Sequence, residues 1–166
     1  MLLARYHIQR ILKLTGLALL LSASASHASQ VRVEVEGDHS DLRYNARIFV
    51  GEVEGRSADG LRRYASTAIA QVEQAIRALG YYNPVITFEV TENADGLAEL
   101  VLTVVPGEPV RIRSRSVLIE GPGSEDPALV DQIPKEPAEG DVLHHGRYNT
   151  LRQAIQNRAR RLGYFD

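Results

Sequence analysis

The chain has 166 residues, 44% hydrophobic and 24% charged, with 13 Gly, 7 Pro and neither Cys nor Trp. That balance excludes collagen, a long disordered tail and a polytopic membrane protein. Nineteen Lys and Arg against 21 Asp and Glu exclude the dominant basic field of a general nucleic-acid binder, and zero Cys excludes disulfides, thiolate metal sites, a Cys nucleophile and a lipoprotein anchor.

Residues 1–28 carry the three parts of a secretory signal peptide in order: a basic head (Arg5, Arg10, Lys13), an apolar run over residues 14–21, then small residues. Ser26-His27-Ala28 fits the cleavage pattern, with Ala23-Ser24-Ala25 as a second candidate. The alternative is an uncleaved anchor, against which the run is shorter than the roughly 20 residues that span a bilayer. Removal would leave 16 basic against 21 acidic residues in a soluble, exported, periplasmic segment.

The remainder is a repeat. Val33-Glu34-Val35-Glu36-Gly37 returns as Val117-Leu118-Ile119-Glu120-Gly121, and Ala78-Leu79-Gly80-Tyr81-Tyr82 as Arg161-Leu162-Gly163-Tyr164-Phe165, at nearly the same offset. Two copies of one module are expected, at 29–107 and 108–166, joined near Pro106-Gly107-Glu108-Pro109. In the first copy, Val31, Val33 and Val35 alternate with charged residues and predict a strand ended by Gly37. Residues 40–53 read as a short helix through Leu42, Ala46, Phe49, Val50 and Val53, interrupted near Gly51 and Gly55. From Ser57 to Leu79, apolar Leu61, Ala65, Ala68, Val72, Ala75, Ile76 and Leu79 recur every three or four residues, the stripe of a long helix. Ser57 suits its cap, Asp59 its first turn, and Gly80 its left-handed stop. Pro84 opens a second strand with Ile86, Phe88 and Val90 on one face; Asn93-Ala94-Asp95-Gly96 turns it, and Leu100, Leu102 and Val104 share a face of the return strand. Two helices cover one face of a three-stranded sheet, so the class is α+β and the other face meets water or a partner.

The second copy predicts a strand over residues 110–120, a short helix over 127–133, and a long helix whose Tyr148, Leu151, Ile155, Ala159 and Leu162 lie 83 positions after Ala65, Ala68, Val72, Ile76 and Leu79. The sequence stops at Asp166, before the two closing strands, so this copy is expected to be incomplete and the less stable.

Such a tandem of strand-helix-helix-strand-strand modules behind a signal peptide resembles the polypeptide-transport-associated (POTRA) domains of the outer-membrane protein assembly superfamily, most closely the TamA family of the translocation and assembly module. The likeness rests on residues 31–37, Ala78-Leu79-Gly80-Tyr81-Tyr82-Asn83-Pro84, Val104-Val105-Pro106-Gly107-Glu108-Pro109-Val110, Gly140-Asp141-Val142-Leu143 and Arg161-Leu162-Gly163-Tyr164-Phe165-Asp166. It implies a periplasmic protein-binding scaffold, tethered to the outer membrane by a carboxy-terminal barrel outside this sequence. Its implied partners are unfolded outer-membrane or autotransporter clients and a TamB-like inner-membrane-anchored partner. The alternatives are the same modules in a two-partner secretion transporter, or a free periplasmic enzyme or ligand-binding domain.

The physical mechanism most open to such a module is strand addition. The return strand can pair with both others, leaving residues 84–91 at an edge, with Val85, Thr87, Glu89 and Thr91 as candidate polypeptide-binding residues and Thr87→Pro as the expected disruption. The competing interpretation is an edge blunted by Pro84 and Glu89 against aggregation. Gly80, Tyr81 and Tyr82, like Gly163, Tyr164 and Phe165, read as a helix cap with aromatic packing rather than a docking patch. Arg111, Arg113 and Arg115 on one strand, and Arg147, Arg152, Arg158, Arg160 and Arg161 on the last helix, read as solvated faces. His144 and His145 near Asp141 lack a third ligand at a metal-site spacing, and no nucleophile elbow, phosphate loop or zinc-protease motif is present. No cofactor and no enzyme activity are expected.

Overall fold

The computed structural model describes residues 30–93 and 96–165. The signal-peptide reading, the centre of the predicted turn at Ala94 and Asp95, and Asp166 lie outside them. The described part is α+β. It runs β1 (Val31–Val35), α1 (Ser40–Val50), α2 (Ala58–Arg77), β2 (Val85–Glu92), β3 (Ala98–Val105), a 3-10 turn (Pro122–Glu125), α3 (Pro127–Val130) and α4 (His145–Arg161).

Helix α2 forms for the reasons its sequence carries. Ser57 Oγ accepts the Gly60 N–H at 3.2 Å, satisfying one orphan amide, while Asp59 and Arg77 sit at the ends where the helix dipole favours their charges. Leu61, Ala65, Ala68, Val72, Ala75 and Ile76 are all buried. On α1 the buried residues are Leu42, Ala46 and Val50, a strict four-residue spacing. Phe49, expected on that stripe, stands a 100° step away from Val50 and is exposed. Val53 is buried, but from a loop, because Gly51 takes φ +69° and ends the helix. Asn45 Nδ2 donates to the Ala75 carbonyl at 2.7 Å and ties α1 to α2.

The sheet order is β1-β3-β2, with β1 parallel and β2 antiparallel to β3. The central strand β3 alternates strictly: Ala98, Leu100, Leu102 and Val104 are buried under the helices. In register beside them on that face lie Val31, Val33 and Val35 of β1 and Ile86, Phe88 and Val90 of β2. At the turn, Asn93 Oδ1 accepts the Leu97 N–H at 2.8 Å and Gly96 takes φ +74°.

The second half departs from expectation. Residues 110–120 do not form a strand: they make one isolated bridge, Arg111 to Val142, supported by Leu143 N–H to the Val110 carbonyl (2.8 Å) and Ile112 N–H to the Asp141 carbonyl (2.9 Å). Alternation gives a strand only where a second backbone lies alongside, and among the described residues that backbone reaches only the first three positions. Leu118 is left 79% exposed. The short helix is a single turn, capped by Asp126 Oδ1 on the Ala128 N–H at 2.8 Å. Helix α4 has the expected extent, yet of the repeat positions only Leu151 is buried, whereas Tyr148 is half exposed.

This contrast predicts unequal opening. Amide exchange read residue by residue should show α2 protected close to the global limit and α4 exchanging at least tenfold faster, since protection follows buried apolar contact. Equal protection in the two helices would contradict it.

Candidate polypeptide-binding edges

The ladder parity decides which backbone groups an edge offers. Asn93 N–H donates to the Leu97 carbonyl at 3.0 Å, and the pairing continues in steps of two through Thr91–Glu99, Glu89–Val101, Thr87–Thr103 and Val85–Val105. The opposite side of β3 serves β1, as the Leu100 N–H to Gln30 carbonyl bond at 2.7 Å shows. The four predicted residues Val85, Thr87, Glu89 and Thr91 therefore turn their backbone groups inward to β3. Their side chains lie on the open face of the sheet. It is Ile86, Phe88 and Val90 whose N–H and C=O groups point out from the edge, with Pro84 at the same parity, where its missing N–H breaks nothing. Alternation in the sequence identifies the faces of a strand; only the pairing identifies which backbone groups are left over.

Phe88 marks that edge. It shares a face with the fully buried Leu102, yet it is 49% exposed, while Ile86 and Val90 on either side of it pack against the core. An exposed aromatic beside outward-facing amides combines the two features that peptide strands use for docking.

Gly80, Tyr81 and Tyr82 do more than cap α2. Gly80 has φ +98°, and a Cβ on it would stand 2.6 Å from Val142 Cγ1 and 2.8 Å from the Leu143 carbonyl oxygen. The Gly80 carbonyl accepts the Val110 N–H at 2.8 Å, the Ala78 carbonyl accepts the His145 N–H at 2.9 Å, and the Tyr82 hydroxyl meets His145 Nε2 at 2.6 Å. Tyr81 packs edge-on against His39. The end of α2 is thus the seat on which residues 110 and 142–145 rest, a role that sequence reasoning missed. Gly163 matches Gly80 only in conformation: φ is +93°, and among the described residues beyond its chain neighbours nothing lies within 4 Å of where a Cβ would stand. Tyr164 donates its hydroxyl to Asp126 Oδ2 at 3.0 Å, a bond to a carboxylate that raises the phenol above its ordinary value. Phe165 is exposed.

Three of the arginines read as solvated faces, Arg111, Arg115 and Arg158, are instead tied into local structure, as are the two adjacent histidines. Arg111 donates to the Gly140 carbonyl at 2.9 Å, and Arg115 donates to the carbonyls of Lys135 and Pro134, pinning the 134–140 loop. Arg158 Nε donates to the Ala128 carbonyl at 2.9 Å and joins α4 to α3. His144 Nδ1 accepts the Gly146 N–H at 3.0 Å as the cap of α4, while His145 faces Tyr82. Among the described residues, no group of three or more His, Asp or Glu is placed to hold a metal ion.

Residues 32–106, spanning the sheet and both long helices of the first half, match the family model for the POTRA domain, TamA domain 1. These residues form a POTRA domain of the TamA type. The β-α-α-β-β order and mixed three-stranded sheet are those of the module. A TamA-type POTRA domain is a periplasmic scaffold element of an outer-membrane assembly protein, non-enzymatic and protein-binding in general.

Proposed function

We propose that this POTRA domain holds extended segments of unfolded outer-membrane or autotransporter polypeptides, or of a TamB-like inner-membrane-anchored partner, by strand addition at the β2 edge. The segments 29–107 and 108–166 act as successive modules of that scaffold. The carrying observation is the row of outward backbone groups at Ile86, Phe88 and Val90 beside the half-exposed Phe88 ring. Main-chain pairing supplies affinity with little demand on sequence, which suits a protein that meets many unfolded chains. The open face of this edge carries Thr87, Glu89 and Thr91, polar side chains that keep it from pairing indiscriminately with other sheets.

The test is site-specific photocrosslinking in the periplasm with benzoylphenylalanine at position 88, and at position 62 on the exposed outer face of α2 as control. Adducts to unfolded outer-membrane polypeptide or to an inner-membrane-anchored protein at 88, at least fivefold above those at 62, are expected. Equal adducts at the two positions would count against the edge.

A further inference from the structure

The opposite edge of the sheet is built differently. Glu36 N–H donates to the Val104 carbonyl at 2.9 Å and Leu100 N–H to the Gln30 carbonyl at 2.7 Å, so the even-numbered residues of β1 face β3. The backbone groups of Val33 and Val35 therefore face away from the sheet. Along that side runs an open groove of about 1110 Å³, walled by β1 and α1. On the helix wall stand Tyr44 and Ile48, 70% and 56% exposed although one helical turn apart on the same flank. Large apolar side chains so exposed, beside unoccupied backbone, are what a soluble surface normally avoids.

The charges say what fits. Arg32 is held by Glu34 at 2.8 Å and by Glu99 at 3.2 Å, so its charge is spent within the strand wall, which keeps one surplus negative charge on the open side of the sheet. Arg43 and Arg47, also one turn apart on the helix wall, have no acidic partner among the described residues. Glu52, at the far end beyond α1, is the one carboxylate of the lining outside an ion pair. Side chains on the same face of a strand recur about every 6.8 Å, and four helical residues rise about 6 Å, so two carboxylates on alternate residues match the two guanidinium groups.

We infer that this groove takes an extended acidic-apolar peptide segment as a fourth strand, its backbone on Val33 and Val35 and its carboxylates beside Arg43 and Arg47. The inference rests on the reading of the domain as a binder of extended polypeptide, but it assigns a second edge and a sequence preference to it. On the side facing α1, two successive same-face positions are acidic and the positions flanking them apolar; residues on the open side, beside the Arg32 network, are small and polar.

The experiment uses the whole chain and a fluorescein-labelled octapeptide, Thr-Val-Thr-Glu-Thr-Glu-Thr-Val, with a counterpart in which Lys replaces both Glu. Fluorescence anisotropy should show the acidic peptide binding at least tenfold more tightly than the basic one, with the preference reversed in Arg43→Glu/Arg47→Glu. Both positions are exposed, and circular dichroism should show the variant folded. N-methylation of alternate peptide amides should abolish binding for one set only, the set facing β1. Equal binding of the two peptides, an unchanged preference in the variant, or equal effects of the two methylated sets would overturn the inference. Concentration-dependent self-association lost in the variant, without peptide binding, would overturn it in favour of a second copy of this chain. Benzoylphenylalanine at position 44 separates the two readings: crosslinks at 88 but not at 44 remove this groove and keep the β2 edge, while crosslinks at neither remove both.

Discussion

Gly80→Ala should detach residues 142–145 from the end of α2 at a cost of roughly 2–5 kcal/mol, from a left-handed backbone that a side chain disfavours and a methyl forced into filled space. The Cβ would stand 2.6 Å from Val142 Cγ1 and 2.8 Å from the Leu143 carbonyl oxygen. A side-chain methyl can rotate away. The Leu143 carbonyl is backbone and lies between two anchored amides, Leu143 N–H on the Val110 carbonyl at 2.8 Å and His145 N–H on the Ala78 carbonyl at 2.9 Å. Relief therefore comes from lifting the whole segment, which breaks the hydrogen bonds donated by the Val110, Leu143 and His145 amides together. Their hydrogen exchange should rise at least tenfold in the variant, while Leu100, Leu102 and Val104 in the central strand stay protected. Gly163→Ala supplies the internal comparison. It has nearly the same φ, +93°, but among the described residues beyond its chain neighbours none within 4 Å of the added Cβ, so only the conformational cost of about 1–2 kcal/mol applies. Equal destabilisation by the two substitutions would mean that Gly80 serves conformation alone.

That comparison also shows why some features were legible in the sequence and others were not. Both glycines follow an apolar stripe and precede aromatics, and their left-handed conformation follows from that local pattern. The contact with Val142 does not, because it joins positions 62 residues apart. Likewise α2 was readable from its stripe and Ser57, and β3 from its alternation, because each pattern repeats a local geometry against a single core. Phe49 failed because a helix stripe is narrower than the set of residues a four-or-three spacing admits. Residues 110–120 failed because alternation marks the faces of a strand and not the presence of a neighbour. Arg111 and Arg115 look like a charged strand face until the loop carbonyls that they hold are known. The parity of the β2 edge is non-local in the same sense. Whether Thr87 or Phe88 offers its N–H outward depends on the pairing with β3, which the hairpin turn at Asn93 sets.

That parity predicts opposite outcomes for proline at two adjacent positions. Thr87 sits in a bonded pair with Thr103, so Thr87→Pro removes an inward N–H and leaves the Thr103 carbonyl of the central strand without its donor, costing roughly 1–3 kcal/mol before the ring is accommodated. In a module of this size each kcal/mol moves Tm by roughly 4–8 °C, so a fall on the order of 10–20 °C is expected. Phe88→Pro removes an outward N–H that β3 does not use, and proline is tolerated at an edge strand's free side. Its Tm should follow that of Phe88→Ala, the control for the lost ring, within roughly 4 °C, less than 1 kcal/mol on that scale. Binding should reverse the ranking. With benzoylphenylalanine at position 90, Phe88→Pro should lose at least fivefold of its polypeptide adducts relative to Phe88→Ala, because the incoming strand lacks its donor at the centre of the edge. Thr87→Pro, assayed below its lowered Tm, should keep adducts in proportion to its folded fraction. If Phe88→Pro instead crosslinks as well as Phe88→Ala, backbone pairing at β2 is not how polypeptide is held, however exposed the ring at position 88 is.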